Sequence, residues 1–483
     1  MKVIKDTDFL ISSLLGNQEY NPEIQYKTSL FNIYPNYNEE TGEYPLFNTL
    51  TRQLISLSPA EYGIISYINV YSRRFNAETT GKNSDVPYGK PILRAKDIIN
   101  ELKCDIPYEM TEKFIKELAE RRFLTPVDTD EYKLASQLKT AAIPFGKKDY
   151  IKSFTIMTTT ACNARCWYCY ELGRSHIHMT AETAEKAAQF ILKSSGGHKV
   201  RLSWFGGEPL FNSKVIDIIC RRLRENGKEY TSSMVSNGYL FDENVILRAQ
   251  NDWNLKTVQI TLDGTEKIYN DTKGYIYKEG SAFKKVLDNI ETLLKSNIRV
   301  QIRLNIDEKN CSDLSELCDY LISRFSEYDN ITVYTAVIMH YEKEKCIPHQ
   351  PSSEFKDRYI EINEKLYAAG INNKRSLDTR LNSFRCMADN EGSAMLTPDG
   401  GIGKCEHFSE SDYWRTLDNP EVNHKILDSW RERDEFEECK SCPHFPMCIK
   451  LKKCPDTANA CTDFEREILD YHLEKRIKLA AKL

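Results

Sequence analysis

Between about residues 150 and 340 the apolar positions fall into short, β-branched runs: KSFTIMTT, KVRLSWF, YTSSMVS, KTVQITL, RVQIRLNI and NITVYTAV. Between these runs apolar residues recur at helical spacing, in TAETAEKAAQFILKSS, SKVIDIICRRLRENG, DENVILRAQNDW, SAFKKVLDNIETLLKSN and CSDLSELCDYLISRFS. Such alternation predicts an α/β fold with a parallel sheet. Right-handed crossovers curl it into a barrel, here a partial (β/α)6, TIM-like one over 151–340. In such barrels chemistry lies at the C-terminal ends of the strands. Residues unlike a packed core gather there: Cys162, Cys166 and Cys169 after the first run, GGEP (206–209) after the second, SNG (236–238) after the third and DG (263–264) after the fourth. Arg303 and Asn305 lie late in the fifth.

The flanks follow other patterns. Residues 1–130 hold two strand-like stretches, SLFNIYPN and YPLFNTLTRQLISLS, a helix opening on a capping serine in SPAEYGIISYINVYS, and the helix-then-strand stretch TEKFIKELAERRFLTPVD. A small α+β, winged-helix-like domain fits them. Residues 131–150 read as a connector and 341–380 as a linker with helical patches. Residues 381–465 are cysteine-rich and irregular, and a charged helix over 466–483 closes the chain. No internal repeat is present.

Length and charge narrow the class. At 483 residues the chain has room for about three domains of roughly 150 residues. A net charge of −5 gives no global basic field for nucleic acid. The N-terminal stretch lacks the apolar core of a signal peptide, and no run of 18 apolar residues exists, so a soluble, cytoplasmic protein without a membrane partner is expected. Fifteen cysteines in a reducing compartment argue for metal or cluster ligation over a disulfide framework.

Cys162, Cys166 and Cys169 read C-x3-C-x2-C. Thiolates suit Fe–S clusters or zinc. Three on a short loop can hold three irons of a [4Fe–4S] cube, which leaves the fourth open. With Tyr168 before the last cysteine, the stretch resembles the radical S-adenosylmethionine (SAM) superfamily. The resemblance implies that SAM chelates the open iron and is cleaved to a 5′-deoxyadenosyl radical, with the protein supplying orientation. It assigns Gly206, Gly207 and Glu208 to the SAM ammonium, Ser236 and Asn237 to the ribose, and Arg303 to the SAM carboxylate. Asp263 resembles an acidic residue near the substrate of related maturases, a candidate proton acceptor; a plain turn is the other reading. The His-Asp pair and arginine that often follow in the family are replaced here by Tyr269, Asn270 and Lys273.

The distal cysteines resemble the SPASM domain of peptide-modifying radical SAM proteins. Cys386, Gly400 and Cys405 match its first piece, with 13 residues before the glycine. In the second piece five residues separate Cys448 from Cys454, where the family has three. The resemblance implies two auxiliary [4Fe–4S] clusters, three clusters in all. Cys386, Cys405 and Cys454 would hold the first; Cys439, Cys442, Cys448 and Cys461 the second. The fourth ligand of the first would be Cys346, another side chain, or a substrate thiolate. Cys104, Cys220, Cys311 and Cys318 read as inert thiols.

Residues 1–130 resemble, by their pattern of elements, leader-peptide recognition domains, which take up a peptide as an added strand. The chain is thus identified as similar to radical SAM/SPASM peptide maturases of the sactisynthase or ranthipeptide-synthase type. The implied reaction is a cysteine thioether cross-link in a ribosomally made precursor peptide, with a flavodoxin or ferredoxin as reductant. Carbon–carbon or carbon–oxygen cross-linking and formylglycine formation on a sulfatase remain alternatives within the superfamily. A zinc-stabilised scaffold is the alternative outside it.

Overall fold

A computed structural model describes the chain outside residues 81–93, 102–107, 278, 343–344, 348–349, 373–375, 408–411, 432–434, 452–453, 455–460 and 483, and outside the side chains of 71–80, 99, 101, 108, 341–342 and 345–346. Cys104 and the side chain of Cys346 therefore lie outside the described residues.

The N-terminal part contains β1 (Lys2–Lys5), α1 (Phe9–Leu15), β2 (Tyr26–Thr28), β3 (Asn32–Ile33), β4 (Tyr44–Asn48), β5 (Leu54–Leu57), α2 (Pro59–Thr80), α3 (Ala95–Glu101), α4 (Tyr108–Glu120) and β6 (Leu124–Pro126). Four strands form an antiparallel sheet in the order β1-β5-β4-β3, and β2 pairs with β6. One face packs Leu46, Ile55 and Leu57 against Ile64, Ile68 and Leu118.

The expected connector is a helix, α5 (Glu131–Gly146). Asp130 caps it by accepting from the Lys133 amide, and Glu131, Ala135, Leu138, Lys139 and Ala142 form its buried stripe. Two charged residues in that stripe hide its period from a hydrophobicity reading. Glu131 accepts from Ser29 and the Leu30 amide, and Lys139 Nζ donates to the Phe445 carbonyl at 2.9 Å.

The expected alternation appears as β7 (Ser153–Thr159), α6 (Ala181–Ser195), β8 (Val200–Gly206), α7 (Ser213–Glu225), β9 (Tyr230–Ser236), α8 (Glu243–Asn251), β10 (Leu255–Leu262), α9 (Glu266–Lys273), α10 (Ala282–Lys295), β11 (Arg299–Ile306), α11 (Cys311–Phe325) and β12 (Ile331–Val337). These six strands are parallel and lie in sequence order. Next come the hairpin β13 (His340–Glu342) and β14 (Lys345–Ile347), and α12 (Ser353–Ala368) in the linker.

The cysteine-rich region is less irregular than its composition suggests. It contributes β15 (Ser393–Leu396), β16 (Gly401–Gly403) and β17 (Arg415–Thr416), and the sheet order is β12-β11-β10-β9-β8-β7-β15-β16-β17. The β15–β16 turn closes through Gly400 at φ +90°, and a Cβ on Gly401 would stand 2.1 Å from the Tyr413 ring. Then follow α13 (His424–Ser429) and α14 (Asp463–Ala481), the latter opened by a capping box of Thr462 and Glu465. Leu473, Ile477 and Ala480 of α14 pack on Ile33, Phe47 and Leu54, which ties the two ends of the chain together. No helix among the described residues is long and apolar enough to cross a membrane.

Candidate functional site

Strand alternation separates two faces of the parallel sheet. Ile156, Leu202, Met234, Ile260, Ile302 and Val333 are buried against the helices. On the other face Thr155, Ser203, Ser233, Gln259, Gln301, Arg303 and Tyr334 remain half-exposed. Tyr334 donates to Gln259 Oε1 at 2.8 Å across the intervening β11, so this is the concave face. A polar, open cleft thus runs up to the strand ends.

The cysteine loop caps that cleft. Three other loops knit it in place. Gly206 sits at φ +124°, where a Cβ would stand 2.2 Å from the Thr159 carbonyl; at Gly207 it would meet the Ala161 carbonyl at 2.5 Å. The close approach that this glycine pair permits is to the chain's own cysteine loop, sealed by Gly207 N–Thr159 O and Glu208 N–Ala161 O bonds of 3.0 Å each. Glu208 is fully buried. It accepts from Leu210 N, from Ser236 Oγ and from Asn237 N at 2.8 Å. Burial still lifts its carboxyl to about 7. Asn237 Nδ2 donates to Asn163 Oδ1 at 2.7 Å and approaches Cys162 Sγ at 3.7 Å. Ser236 and Glu208, read from sequence as ligand contacts, are thus engaged with each other. Arg303 donates to Asn305 Oδ1 at 2.9 Å and remains at the surface of the cleft.

Sequence reasoning set Lys273 aside, yet it is a central member of the site. Its ammonium is buried, 2.8 Å from Asp263 Oδ2 and 3.1 Å from Tyr168 Oη. Tyr168 in turn donates to Asp263 Oδ1 at 2.7 Å. Burial opposes the Lys273 charge, but Asp263 and the neighbouring Cys166 hold its pKa well above the ordinary lysine value. The Lys273 carbonyl also accepts from Arg165 N at 2.7 Å, so the end of α9 is pinned to the cysteine loop. Both carboxylate oxygens of Asp263 are occupied. The legible signal was the pairing of a lysine with an aspartate ten residues earlier across a strand-to-helix turn.

Burial pushes the thiols up, Cys162 to about 12 and Cys169 to about 11, with Cys166 raised as well. Repulsion among the three adds to the rise at Cys162. Ala164 N points at Cys162 Sγ from 3.4 Å. Soft donors held together against their own repulsion suit a cationic iron cluster, which favours the thiolates that burial opposes.

The distal cysteines fall into two groups by the same signature. Burial raises Cys405 to about 12, and Cys454 and Cys386 add to it. Burial likewise raises Cys442 to about 11, with contributions from Cys448, Cys461 and Cys439. The second group is gripped from far away in sequence. Thr49 Oγ1 donates to the Pro443 carbonyl at 2.5 Å and Arg52 to the Pro446 carbonyl at 3.0 Å. The first group lies near the cysteine loop, since His407 packs on Tyr170 with ring centroids 4.0 Å apart. Among the described residues no three His, Cys, Asp or Glu converge as the ligands of one ion would. Cysteines that each bind a different iron of a cube need no such point.

Residues 156–321 match the model of the Radical SAM superfamily. The chain carries a radical SAM domain. Around it, a probable GTP 3′,8-cyclase of Methanocaldococcus jannaschii is 31% identical over 180 residues, covering 36% of this chain and 56% of that protein. The chain spans only 55–60% of the length of the first curated relatives it matches. Among solved structures, native anSMEcpe with bound AdoMet superposes with a TM-score of 0.54 at 15% identity, covering 68% of this chain and all of that one. The same protein with AdoMet and Cp18Cys peptide gives 0.51 at 16% identity, over 68% of this chain and 99% of that one. These likenesses establish the radical SAM fold, a partial barrel with a mostly parallel sheet.

Proposed function

We propose that the protein is a radical SAM peptide maturase that cross-links a ribosomally made precursor peptide, most directly through a cysteine thioether. The observation that supports this reading is the presence of two further cysteine groups, of three and four thiols, the first of them near the cysteine loop. On this reading Cys162, Cys166 and Cys169 hold a [4Fe–4S] cluster, and the cleft residues Asn237 and Arg303 face SAM. When bound, the cluster and SAM supply the 5′-deoxyadenosyl radical that abstracts a substrate hydrogen. Gly206, Gly207, Glu208 and Ser236 act by shaping the loops; Tyr168, Asp263 and Lys273 fix the far side of the cysteine loop.

Cys386, Cys405 and Cys454 would hold a first auxiliary cluster, and Cys439, Cys442, Cys448 and Cys461 a second. Three thiolates leave one position of the first for a substrate cysteine, whose sulfur would be deprotonated and oriented there. Residues 1–130 would receive the leader, 381–465 would carry the auxiliary clusters, and a flavodoxin or ferredoxin would deliver electrons. The fold likeness to anSMEcpe, solved with a bound peptide, supports a peptide substrate.

The test is anaerobic reconstitution followed by reaction with candidate precursors, sought among short cysteine-containing reading frames next to the gene. Expected are iron and labile sulfide for three clusters, reductive SAM cleavage, and a peptide lighter by two hydrogens per cross-link. Tandem fragmentation separates a thioether from a carbon–carbon or carbon–oxygen bond, and formylglycine would retain no cross-link. Colourless protein containing zinc would overturn the reading. So would turnover of GTP in place of peptide, the chemistry named for the cyclase relatives.

A further inference from the structure

We infer that the free edge of β12 and the face of α14 beside it form an anchoring site for an extended, acidic stretch of the peptide substrate. The inference rests on the peptide reading above. A cavity of about 250 Å³ opens here, lined by Tyr334, Thr335, Tyr359, Tyr367, His472 and Arg476. That volume lies below the usual range of small-molecule sites, roughly 300–1,000 Å³, and suits single side chains of a strand.

Three observations define what fits. The first concerns the backbone. β12 is the last strand of its sheet. Val333 N bonds the Ile371 carbonyl at 3.1 Å, away from β11, so alternate amides face the free edge. Thr335 and Val337 follow on that edge with no backbone partner among the described residues. An unpaired strand edge is a template for an added strand.

The second concerns charge. Arg476 makes no hydrogen bond or ion pair among the described residues, and its Nε is buried without a partner. Arg476 lines the cavity and has no acceptor among the described residues, and a carboxylate is the acceptor that also matches its charge. Thr335, Tyr334, Tyr359, Tyr367 and His472 are committed to other partners. His472 is bonded through Nε2 to Tyr359 Oη at 2.8 Å and through Nδ1 to Tyr367 Oη at 3.1 Å. That pairing sets a rigid aromatic wall and leaves Arg476 as the charge that selects.

The third concerns direction. Tyr334 lines the cavity and also reaches Gln259 on the concave face. The C-terminal end of β12 lies at the end of the sheet that carries the cysteine loop. A strand added along β12 therefore passes its neighbouring residues over the lip of the cleft.

The test uses the full-length protein and a fluorescently labelled, blocked pentapeptide, acetyl-Thr-Val-Glu-Val-Thr-amide, against its Gln counterpart. The Glu peptide should bind about tenfold more tightly, as expected for one charge-assisted bond. Arg476→Gln should erase the preference, and hydrogen exchange should slow at Thr335 and Val337 on binding. Equal affinity of the two peptides overturns the inference without any variant, so a misfolded Arg476→Gln protein leaves the test intact. Protection elsewhere on the chain overturns it too. A concentration-dependent dimer that competes with the peptide would assign the edge to a second copy of the chain. An Arg476-dependent preference with no modification of any precursor keeps the anchor and discards the maturase reading. Precursor modification with no such preference does the reverse.

Discussion

The cysteine loop after β7 and the turn that carries Cys439, Cys442 and Cys448 are built in opposite ways. Cys162, Cys166 and Cys169 sit within eight residues, on a loop braced by the ends of the neighbouring strands. Their supports, Gly206 to Glu208, Asn237, and Asp263 with Lys273, come from successive units of one sheet. Cys439, Cys442 and Cys448 lie on or beside short turns whose supports are remote. Thr49, Arg52 and Lys139 reach across more than 300 residues of sequence to the Pro443–Cys448 turn. A site at the strand ends inherits its geometry from a regular sheet; a site in turns must borrow rigidity from whatever packs on it.

The sharpest way to separate the two regions is to remove one thiol from each. Cys162→Ala is expected to abolish reductive SAM cleavage. Cys442→Ala is expected to keep SAM cleavage and lose the modified peptide. If both variants lose SAM cleavage alike, the division of labour is wrong.

Next in size is the buried ion pair behind the cysteine loop. Lys273→Met strands the Asp263 carboxylate, which is fully buried. Breaking such a pair from one side costs about 3–5 kcal/mol. Denaturant unfolding should show that loss, and the double variant Lys273→Met/Asp263→Asn should recover much of it. A change below 1 kcal/mol, the worth of a solvent-exposed pair, would mean the pair is not the brace described.

The remote grip on the distal cysteines predicts a smaller and local effect. Arg52 is 2% exposed, and burial lowers its pKa to about 10. Arg52→Met leaves the Pro446 carbonyl unpaired, at about 1–3 kcal/mol. Iron analysis of the reconstituted variant should fall by one cluster while SAM cleavage is retained. Deleting residues 1–130 is a poorer test, since it would also uncover Leu473 and Ile477 of α14 and the Phe445 turn.

The smallest effect concerns pH. Burial raises the Glu131 carboxyl, against the bonds from Ser29 and Leu30 that lower it. A raised folded-state pKa favours the protonated form, so its contribution is present in acid and is lost as pH rises through the raised value. Glu131→Gln should therefore flatten the fall in stability as pH rises above the ordinary carboxylate range. Identical pH profiles for wild type and variant would remove Glu131 from the account.

Much of the barrel was legible because its period is local. Each of the six strand runs and the helices between them carries its own alternation or amphipathic stripe, so the residues themselves report which face is buried. The cysteine loop was legible because its chemistry is a short-range spacing. The helix α5 was not, because Glu131 and Lys139 occupy its buried stripe and find their partners, among them Ser29, Leu30, Phe445 and Cys448, far away in the chain. Nor were β15 to β17, short strands set by pairing β15 on β7 and then on one another. Lys273 was missed because its partner, Asp263, lies on the other side of a turn that sequence reads only as a turn.

By itself, then, the sequence determined the parallel α/β sheet, the radical SAM loop and the presence of two further cysteine pieces. Periodicity and spacing are properties of neighbours along the chain, and neighbours suffice to express them. Only the tertiary structure decided that Glu208 serves Ser236 and Asn237, that Lys273 neutralises Asp263 beside Tyr168, and that the N-terminal part clasps the distal cysteines. Those choices follow from burial. Once out of water, a charge or an amide must find a partner in space, and the partner it finds is set by the packing of segments far apart in the chain.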